Sequence, residues 1–593
     1  MVKINKTLGL ALLTALAASC SSDNDVAQAP EPVNNNGVAY ATLRIDLPTQ
    51  QGSRAVSFDD RDDNFEEYKV NDATLLVFKK VNDTDPEGAY TFVESVPLGD
   101  MKPWTETGTD GITTTADVTA MLKKATLTDL THNKCYGLVI LNNKADDGSA
   151  KITLPAEGTK YSAWNDPKYA NAEAMQETRN GFVMANAPEW TATGVVPTTL
   201  VQIKGDHVKA TETLAKGAGP AAEIHVERAL AKVTLKKPTD ESVTGGNPQY
   251  NGDKVTLNAW TLDVTNKKSY PVHNIVGLDL ATNYTDIWKY TEGSSAPTYN
   301  RFQDHTNTFK RVYWGIDPNY STDLTTLDAC KEAFDIIDEP TFASTGDDTP
   351  FDDDDTQYCL ENTFDIDHMK QGQTTRVLIK ATYKKGGSEA KTFYKFGSSS
   401  KLYDEDGLIE ALKERYTDLN PYVEEVDVKL KADGSDITTA GVHDLQAANF
   451  EVKKYYDFSS AKPRTRSEGS DVSGESKPVV VPTEKITTYQ NGICYYIGRI
   501  KHFGDDETPW SVGDPTYYDT KSINKATGNL KWLGRYGVLR NNWYSLTVNK
   551  VSGPGEPTVP PINPTDPDDD NYNYIDLSVK ILQWAKRTQG LDL

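Results

Sequence analysis

Residues 83–94 carry the side chains that come nearest to a metal site. Asp83, Asp85, Glu87 and Glu94 lie at the first, third, fifth and twelfth positions of a calcium-binding loop, and Gly88 lies at the sixth. Helices flank such loops, but the flanking segments ATLLVFKKV and AYTFVESV alternate as strands do. We therefore predict a hairpin turn here and no metal site.

Other chemical motifs are absent from the sequence. The eight histidines are scattered without an HExxH pair, and neither a GxSxG elbow nor a GxxxxGK phosphate loop occurs. A pair of carboxylates at glycosidase separation stays open, because sequence does not show distances. The net charge of −24 argues against nucleic acid, since phosphate binding needs a basic face. We predict no catalytic residue and no cofactor, so that a lipoprotein hydrolase is the weaker alternative.

The first twenty residues have the pattern of an export signal. Lys3 and Lys6 precede the apolar residues 8–18, and small residues lead to Cys20. A cysteine at this place is typical of a lipobox, so residues 1–19 are predicted to be removed and Cys20 to be lipidated, which would anchor the precursor to the outer membrane. Residues 21–36 are predicted to be a flexible tether. No other stretch has the length and apolar character of a membrane span.

A removable strand is predicted next, at residues 37–47. One face of this strand is apolar throughout, with Ala39, Ala41, Leu43, Ile45 and Leu47. The loop after it ends in Arg54, and proteases cut exposed polar loops. We predict cleavage between Arg54 and Ala55, with Arg44 and Arg61 as competing sites.

The body of the chain is predicted to be all-β. Glycine, proline, tyrosine and threonine are plentiful, which favours short strands joined by turns. Two β-sandwiches are expected, at residues 55–221 and 222–551, with short helical insertions near residues 118–127 and 170–178. The strands are predicted at residues 73–80, 90–98, 135–141, 223–236, 375–384, 494–500 and 543–551. Cys135, Cys330, Cys359 and Cys494 are either buried thiols or disulfides, and the pattern around Cys330 indicates a core position.

The C-terminal end combines a linker with a last strand. Residues 552–571 are rich in proline and aspartate, and we predict an extended spacer that could span on the order of 50 Å. In residues 572–593 a strand pattern returns, and Trp584 lies beyond a change of phase. Its predicted inward residues are Ile575, Leu577, Val579 and Ile581.

These two terminal strands suggest assembly. Cleavage after Arg54 would free the first strand, and the last strand of a neighbouring copy could take its place by strand addition. Such a head-to-tail contact does not close, so it yields a filament. Without assembly, the first strand would be an ordinary first strand, and the last would fold back onto its own domain.

At these same residues the chain resembles the Bacteroidales fimbrillin family (type V pilus), most closely the major structural subunits of the minor (short) fimbriae. The resemblance rests on the order and spacing of several motifs: the lipobox, GSRA at 52–55, RALAKVTL at 228–235, YCLENTF at 358–364, RNNWYSLTVNKV at 540–551, the linker and the terminal IDLSVKILQW with LDL.

The resemblance implies two transthyretin-like β-sandwiches, an arginine-specific protease acting after Arg54, and donor-strand exchange with other copies head to tail. It also implies accessory fimbrial subunits as partners, a location in a cell-surface fimbria and a role in adhesion. The C-terminal strand favours a shaft subunit over a tip or anchor subunit. The alternative is a monomeric surface lipoprotein that binds glycan or host protein.

Overall fold

The structure, a computed structural model, describes most of the body of the chain. The described residues are 37–47, 67–99, 115–125, 127–189, 197–276, 302, 311–338, 356–387, 389–457, 462–465, 479–503, 533–566 and 575–583. They are mainly β-strands with a few short helices, so the predicted all-β class is confirmed. Within these residues no helix is both long and apolar enough to cross a membrane.

The first eight strands surround one hydrophobic core. Their hydrogen-bonded order is β3-β2-β5-β6-β8-β1-β4, with β7 also paired to β5. Glu94 of β3 accepts hydrogen bonds from the backbone N–H groups of Lys123 and Lys124, which follow β4, so the two ends of this order lie close together. The strands are β1 (Ala39–Asp46), β2 (Ala73–Lys79), β3 (Thr91–Pro97), β4 (Thr115–Leu122), β5 (Cys135–Leu141), β6 (Met184–Asn186), β7 (Val201–Gln202) and β8 (Ala222–Arg228).

One predicted helix in this unit is a strand. Residues 118–127 were expected to be helical, but β4 covers their first half, because Ala116, Val118, Ala120 and Leu122 alternate inward at the period of two that a strand requires. The helical insertion near residues 170–178 is present. The helices are α1 (Leu127–Thr131), α2 (Tyr161–Trp164), α3 (Ala172–Met175) and α4 (Glu212–Ala218).

The chain passes into a second unit at Ala229. The preceding β8 pairs with β1 and β6 of the first unit, whereas the following β9 pairs with strands of the second unit. We therefore propose Ala229 as the domain boundary in place of residue 222. The next elements are β9 (Leu230–Lys236), β10 (Lys254–Asp263), β11 (Thr265–Asn266), α5 (Leu327–Ala333), β12 (Phe334–Asp335), β13 (Thr356–Leu360) and β14 (Arg376–Lys384).

A small α/β module interrupts the second unit and was not predicted. Its 15-residue helix begins after the N-cap Asp404 and buries Leu408, Leu412 and Tyr416 at a spacing of four, against a core of its own. The module contains β15 (Phe393–Phe396), β16 (Leu402–Tyr403), α6 (Glu405–Leu419), β17 (Val423–Val428), β18 (Lys431–Ala432), β19 (Ser435–Asp436), β20 (Gly441–His443), β21 (Phe450–Asp457), β22 (Lys462–Thr465) and β23 (Ile486–Tyr489).

The last three strands complete a β-sandwich. They are β24 (Ile493–Arg499), β25 (Asn542–Val551) and β26 (Ile575–Gln583). One sheet has the order β13-β9-β25-β26 and the other β10-β14-β24. Both sheets contribute to one core, in which Leu546 of β25 and Ile379 of β14 are fully buried.

Candidate assembly site

The strand β1 lies inside the first sheet rather than at its edge. It runs antiparallel to β4 over its whole length and parallel to β8 from Leu43 to Asp46. At its N-terminal end, Tyr40 exchanges two backbone hydrogen bonds with Lys209, of 2.8 and 2.9 Å. The predicted strand is therefore present, and its loss would leave unpaired backbone groups on both neighbouring strands.

The inward face of β1 is fully enclosed. Its five predicted inward residues are each exposed by at most 1%: Ala39, Ala41, Leu43, Ile45 and Leu47. Burying each of the three larger side chains stabilises the fold by about 1.5 to 3 kcal/mol. The apolar face is thus the main attachment of β1 once the chain is cut.

The outward face of β1 adds weaker polar contacts. The guanidinium of Arg44 donates to the carboxylate of Asp117 at 2.9 Å and lies 3.8 Å from that of Glu223, which raises the pKa of Arg44, chiefly through the hydrogen bond to Asp117. The Arg44 side chain is 42% exposed, so water screens this pair and its value is at most about 1 kcal/mol. The hydroxyls of Thr42 and Thr119 are 3.1 Å apart.

Backbone pairing on both sides makes Arg44 a poor protease site, because a protease needs an extended and accessible segment. The other predicted processing positions lie outside the described residues: Cys20, Arg54, Ala55 and Arg61.

The C-terminal strand β26 pairs with its own chain in this structure. It lies antiparallel to β25, with Val551 opposite Ile575 and Asn542 opposite Gln583. It forms the edge of its sheet, so it has one neighbouring strand. Val579 is 3% exposed and belongs to the second core. Of the other predicted donor residues, Ile575, Leu577 and Ile581 lie in the strand, and Trp584 lies outside the described residues.

Most of the predicted spacer is packed against the second sandwich, and the prediction of a free extended linker is wrong for residues 552–566. Tyr489 and Tyr496 donate their hydroxyls to the backbone carbonyls of Gly555 and Gly553, both at 2.9 Å. Glu556 exchanges two backbone hydrogen bonds of 2.8 Å with Tyr495. An extended segment presents unpaired carbonyls, and here the sandwich supplies their donors.

The same segment is fixed further along. Arg376 donates to the carbonyl of Pro560 at 3.3 Å, and the N–H of Gln371 donates to the carbonyl of Asp566 at 3.0 Å. Ile562 is 8% exposed in a small core beside Cys330. Only residues 567–574 therefore separate the packed linker from β26.

Buried charges join the two sandwiches. Glu227 of β8 accepts hydrogen bonds from Arg311 at 2.8 Å and pairs with His273 at 2.7 Å. Arg540, which precedes β25, donates to Glu361 at 3.1 Å. All five side chains are nearly inaccessible. Burial by itself would raise the pKa of Glu227, but the charges of His273 and Arg311 outweigh it and lower that pKa to about 2.

A second polar contact lies beside this joint. The carboxylate of Glu67 accepts hydrogen bonds from the ammonium of Lys232 at 2.8 Å and the hydroxyl of Tyr358 at 2.6 Å. Its backbone carbonyl accepts from Arg228 at 2.9 Å. Because Glu67 lies after the predicted cut and Lys232 in β9, this contact would hold the new N-terminal segment to the joint.

Asp317 also lies in the interior of this region, and its burial predicts that the stability of the chain depends on pH. The residue is 3% exposed, and burial raises the pKa of its carboxyl to about 7 although the N–H groups of Asn319 and Thr363 donate to it at 2.6 Å. The folded chain therefore holds this proton between about pH 4 and 7, where the unfolded chain has released it. The contribution of Asp317 to the free energy of unfolding is therefore fully present below about pH 4, and it is lost as the pH rises to 7.

Replacing Asp317→Asn should remove this dependence. We expect the free energy of unfolding of the unaltered chain to fall by on the order of 2 kcal/mol more than that of the variant between pH 5 and 8. Urea unfolding at the two pH values measures the difference. Equal losses in both chains would contradict the prediction.

The four described cysteines are all buried free thiols, so disulfides are not formed among them. Cys330 lies in a core, as predicted. Burial raises the pKa of the Cys330 thiol to about 11, which makes it a weak nucleophile.

The predicted turn at residues 83–88 is confirmed. β2 and β3 form an antiparallel pair around it, and Asp85 accepts a hydrogen bond from the N–H of Asn82 at 2.8 Å. Glu94 is directed to the end of β4 instead of the turn. In the described part of the chain, no group of three or more histidine, cysteine or acidic side chains is placed to hold a metal ion.

Comparison with known proteins finds a family match at the C-terminal end of the chain. Residues 487–590, less than a fifth of the chain, match the family described as "Major fimbrial subunit protein type IV, Fimbrillin, C-terminal". The match supports a subunit of a cell-surface fimbria, a structural rather than a catalytic protein. This match agrees with the resemblance to the Bacteroidales fimbrillins that the sequence shows.

Three solved structures are similar over most of their length. A candidate cell adhesion protein from Parabacteroides distasonis is 12% identical, with 93% of this chain and 98% of that chain covered and a TM-score of 0.33. Another from Bacteroides eggerthii is 12% identical, with 92% and 96% covered and a TM-score of 0.30.

The third structure is the tip fimbrial protein Mfa3 from Porphyromonas gingivalis with a C-terminal truncation. It is 11% identical, with 92% of this chain and 100% of that chain covered and a TM-score of 0.25. No curated protein matches the chain significantly in sequence.

Proposed function

We propose that the chain is the shaft subunit of its fimbria. It is exported as a precursor lipidated at Cys20, cut between Arg54 and Ala55 by an arginine-specific protease, and polymerised by donor-strand exchange with other copies. The fimbria carries accessory subunits and supports adhesion.

The observation that carries the proposal is the position of β1. An interior strand with an enclosed apolar face is joined to the rest of the chain only through the segment that contains Arg54. A cut there leaves β1 held by noncovalent contacts alone. Its departure opens a slot between β4 and β8 with a row of backbone groups on each side, which an incoming strand can satisfy.

The pairing of β26 with β25 must be given up in this exchange. As an edge strand β26 has one hydrogen-bonded neighbour, whereas the slot offers two. The packed linker need not move, because residues 567–574 could extend over roughly 25 Å. In the exchange, β26 therefore gives up backbone pairing with one strand and gains backbone pairing with two.

Mass spectrometry of surface material tests the proposal. We expect a mature N-terminus at Ala55 in the polymer and an acylated Cys20 in the precursor. The variant Arg54→Ala should accumulate as a lipidated monomer, while the control Arg61→Ala should polymerise normally. Polymers that begin at Cys20 would contradict the proposal.

The cis pairing of β26 favours a second candidate. A subunit whose last strand completes its own sandwich has no need to donate it, which suits a tip or anchor subunit or a monomeric surface lipoprotein that binds glycan or host protein. Such a protein would not polymerise with copies of itself after cleavage at Arg54.

A further inference from the structure

A strand that replaces β1 meets positions of unequal size. Along the inward face, Ala39 and Ala41 at the N-terminal end are followed by Leu43, Ile45 and Leu47, and all five are closed to solvent. An incoming strand therefore finds room for large side chains only at the last three positions, since a packed interior resists added volume.

The large residues of the C-terminal strand match the large positions of the slot in one register. When Leu577 takes the place of Leu43, Val579 falls on Ile45 and Ile581 on Leu47. Two larger residues come to the small positions: Ile575 on Ala41 and the polar Asn573 on Ala39. On the outward face, Tyr574 then falls on Tyr40, so the two segments read AYATLRIDL and NYIDLSVKI.

We propose that Leu577 of a second copy enters the slot at the place of Leu43, with the donor strand parallel to β8 and antiparallel to β4. This inference rests on the proposed function and specifies its register.

The main competing register is shifted by two residues and places Lys580 on Arg44, between Asp117 and Glu223. It restores the ion pair of β1, but it puts Ile575 and Leu577 on Ala39 and Ala41. The shifted register thus places large aliphatic residues at both small positions instead of one, and it puts the polar Gln583 on Leu47. These packing costs exceed what a half-exposed ion pair returns, so the match of side-chain volumes favours the first register.

The favoured register still compensates the two acids. Lys580 takes the place of Asp46, whose partners are Thr115 on β4 and His225 on β8. Asp117 and Glu223 are then its diagonal neighbours, within reach of a lysine side chain. The outward face of the slot thus selects a basic residue near the end of the donor strand.

Engineered disulfides test the register in the full-length chain after cleavage. Arg44 lies directly opposite Asp117, so the double variant Ser578→Cys with Asp117→Cys should link neighbouring copies. The competing register instead predicts a link for Lys580→Cys with Asp117→Cys.

The direction of the donor strand is tested at Thr119, which lies opposite Thr42. In the proposed direction, Asp576→Cys should form a disulfide with Thr119→Cys. In the reversed direction, Lys580→Cys should form it instead.

We expect a ladder of multimers that survives boiling in detergent for Ser578→Cys with Asp117→Cys and collapses to monomer with reductant. The single-cysteine chains should show no such ladder, because the native described thiols are buried. A ladder from the shifted or reversed pair overturns the proposal. Unaltered noncovalent polymers without any covalent link also overturn the register but leave the proposed function intact, whereas the absence of polymers in every chain overturns both.

Discussion

A chain that is cut after Arg54 but ends before Tyr572 is expected to remain monomeric, whereas the full-length cut chain forms multimers. The truncation removes β26, the segment proposed to fill the slot that β1 leaves. Without it, the unpaired groups of β4 and β8 have no partner of matching pattern. The loss of multimers should be complete on a native gel.

The truncation also exposes the edge of β25 and removes Val579 from the second core, so stability must be checked separately. The uncut truncated chain serves for this purpose, since its first sandwich keeps β1. The variant Ser578→Ala is the matched control for β26, because it leaves the inward residues of that strand unchanged. This variant should still polymerise. Multimers of the cut truncated chain would refute strand donation by β26.

The variant Leu43→Asp is expected to destabilise the uncut precursor by at least about 4 kcal/mol. Leu43 is fully enclosed, and a carboxylate there has neither water nor a partner. The matched control is the next residue: Arg44→Ala removes only a half-exposed ion pair and should cost at most about 1 kcal/mol. Chemical unfolding of both precursors measures the difference.

The same variant discriminates between the proposed states. If β1 departs after cleavage, polymers made from Leu43→Asp contain no altered residue and should unfold like unaltered polymers. Polymers that are as destabilised as the precursor would show that β1 stays in the sheet.

Local pattern was sufficient to predict the strands with the most regular alternation or the longest apolar runs. β5 lies where the apolar run at residues 135–141 placed it, and β1 and β14 agree within two residues at each end. Strict alternation over several residues leaves little choice of face, so such segments are predictable. The pattern at β4 is as regular, yet the sequence predicts a helical insertion that begins within it, at residue 118.

The linker shows a limit of composition. Proline and aspartate exclude a self-contained core, but they do not prevent packing against another surface. The tyrosines that receive residues 553–556 lie on β23 and β24, some sixty residues earlier in the chain. Nothing within the linker itself indicates them.

The buried charges between the two sandwiches could not be predicted from the sequence either. Glu227, Arg311 and Arg540 come from widely separated parts of the sequence, and each taken alone is an ordinary surface charge. The α/β module left a readable sign, since the N-cap Asp404 precedes apolar residues at a helical spacing.

This joint acquires a mechanical meaning in a fimbria built as proposed. Tension along the filament would enter each subunit through the slot in the first sandwich and leave through the last strand of the second, so every pull crosses the passage at Ala229. Arg311 binds Glu227 of the first sandwich and also donates to the backbone carbonyl of Arg540, which leads into β25 of the second. Separating the two sandwiches would therefore break buried hydrogen bonds of a charged side chain, which is costly. The buried ions would thus make the two sandwiches of a subunit resist separation under tension.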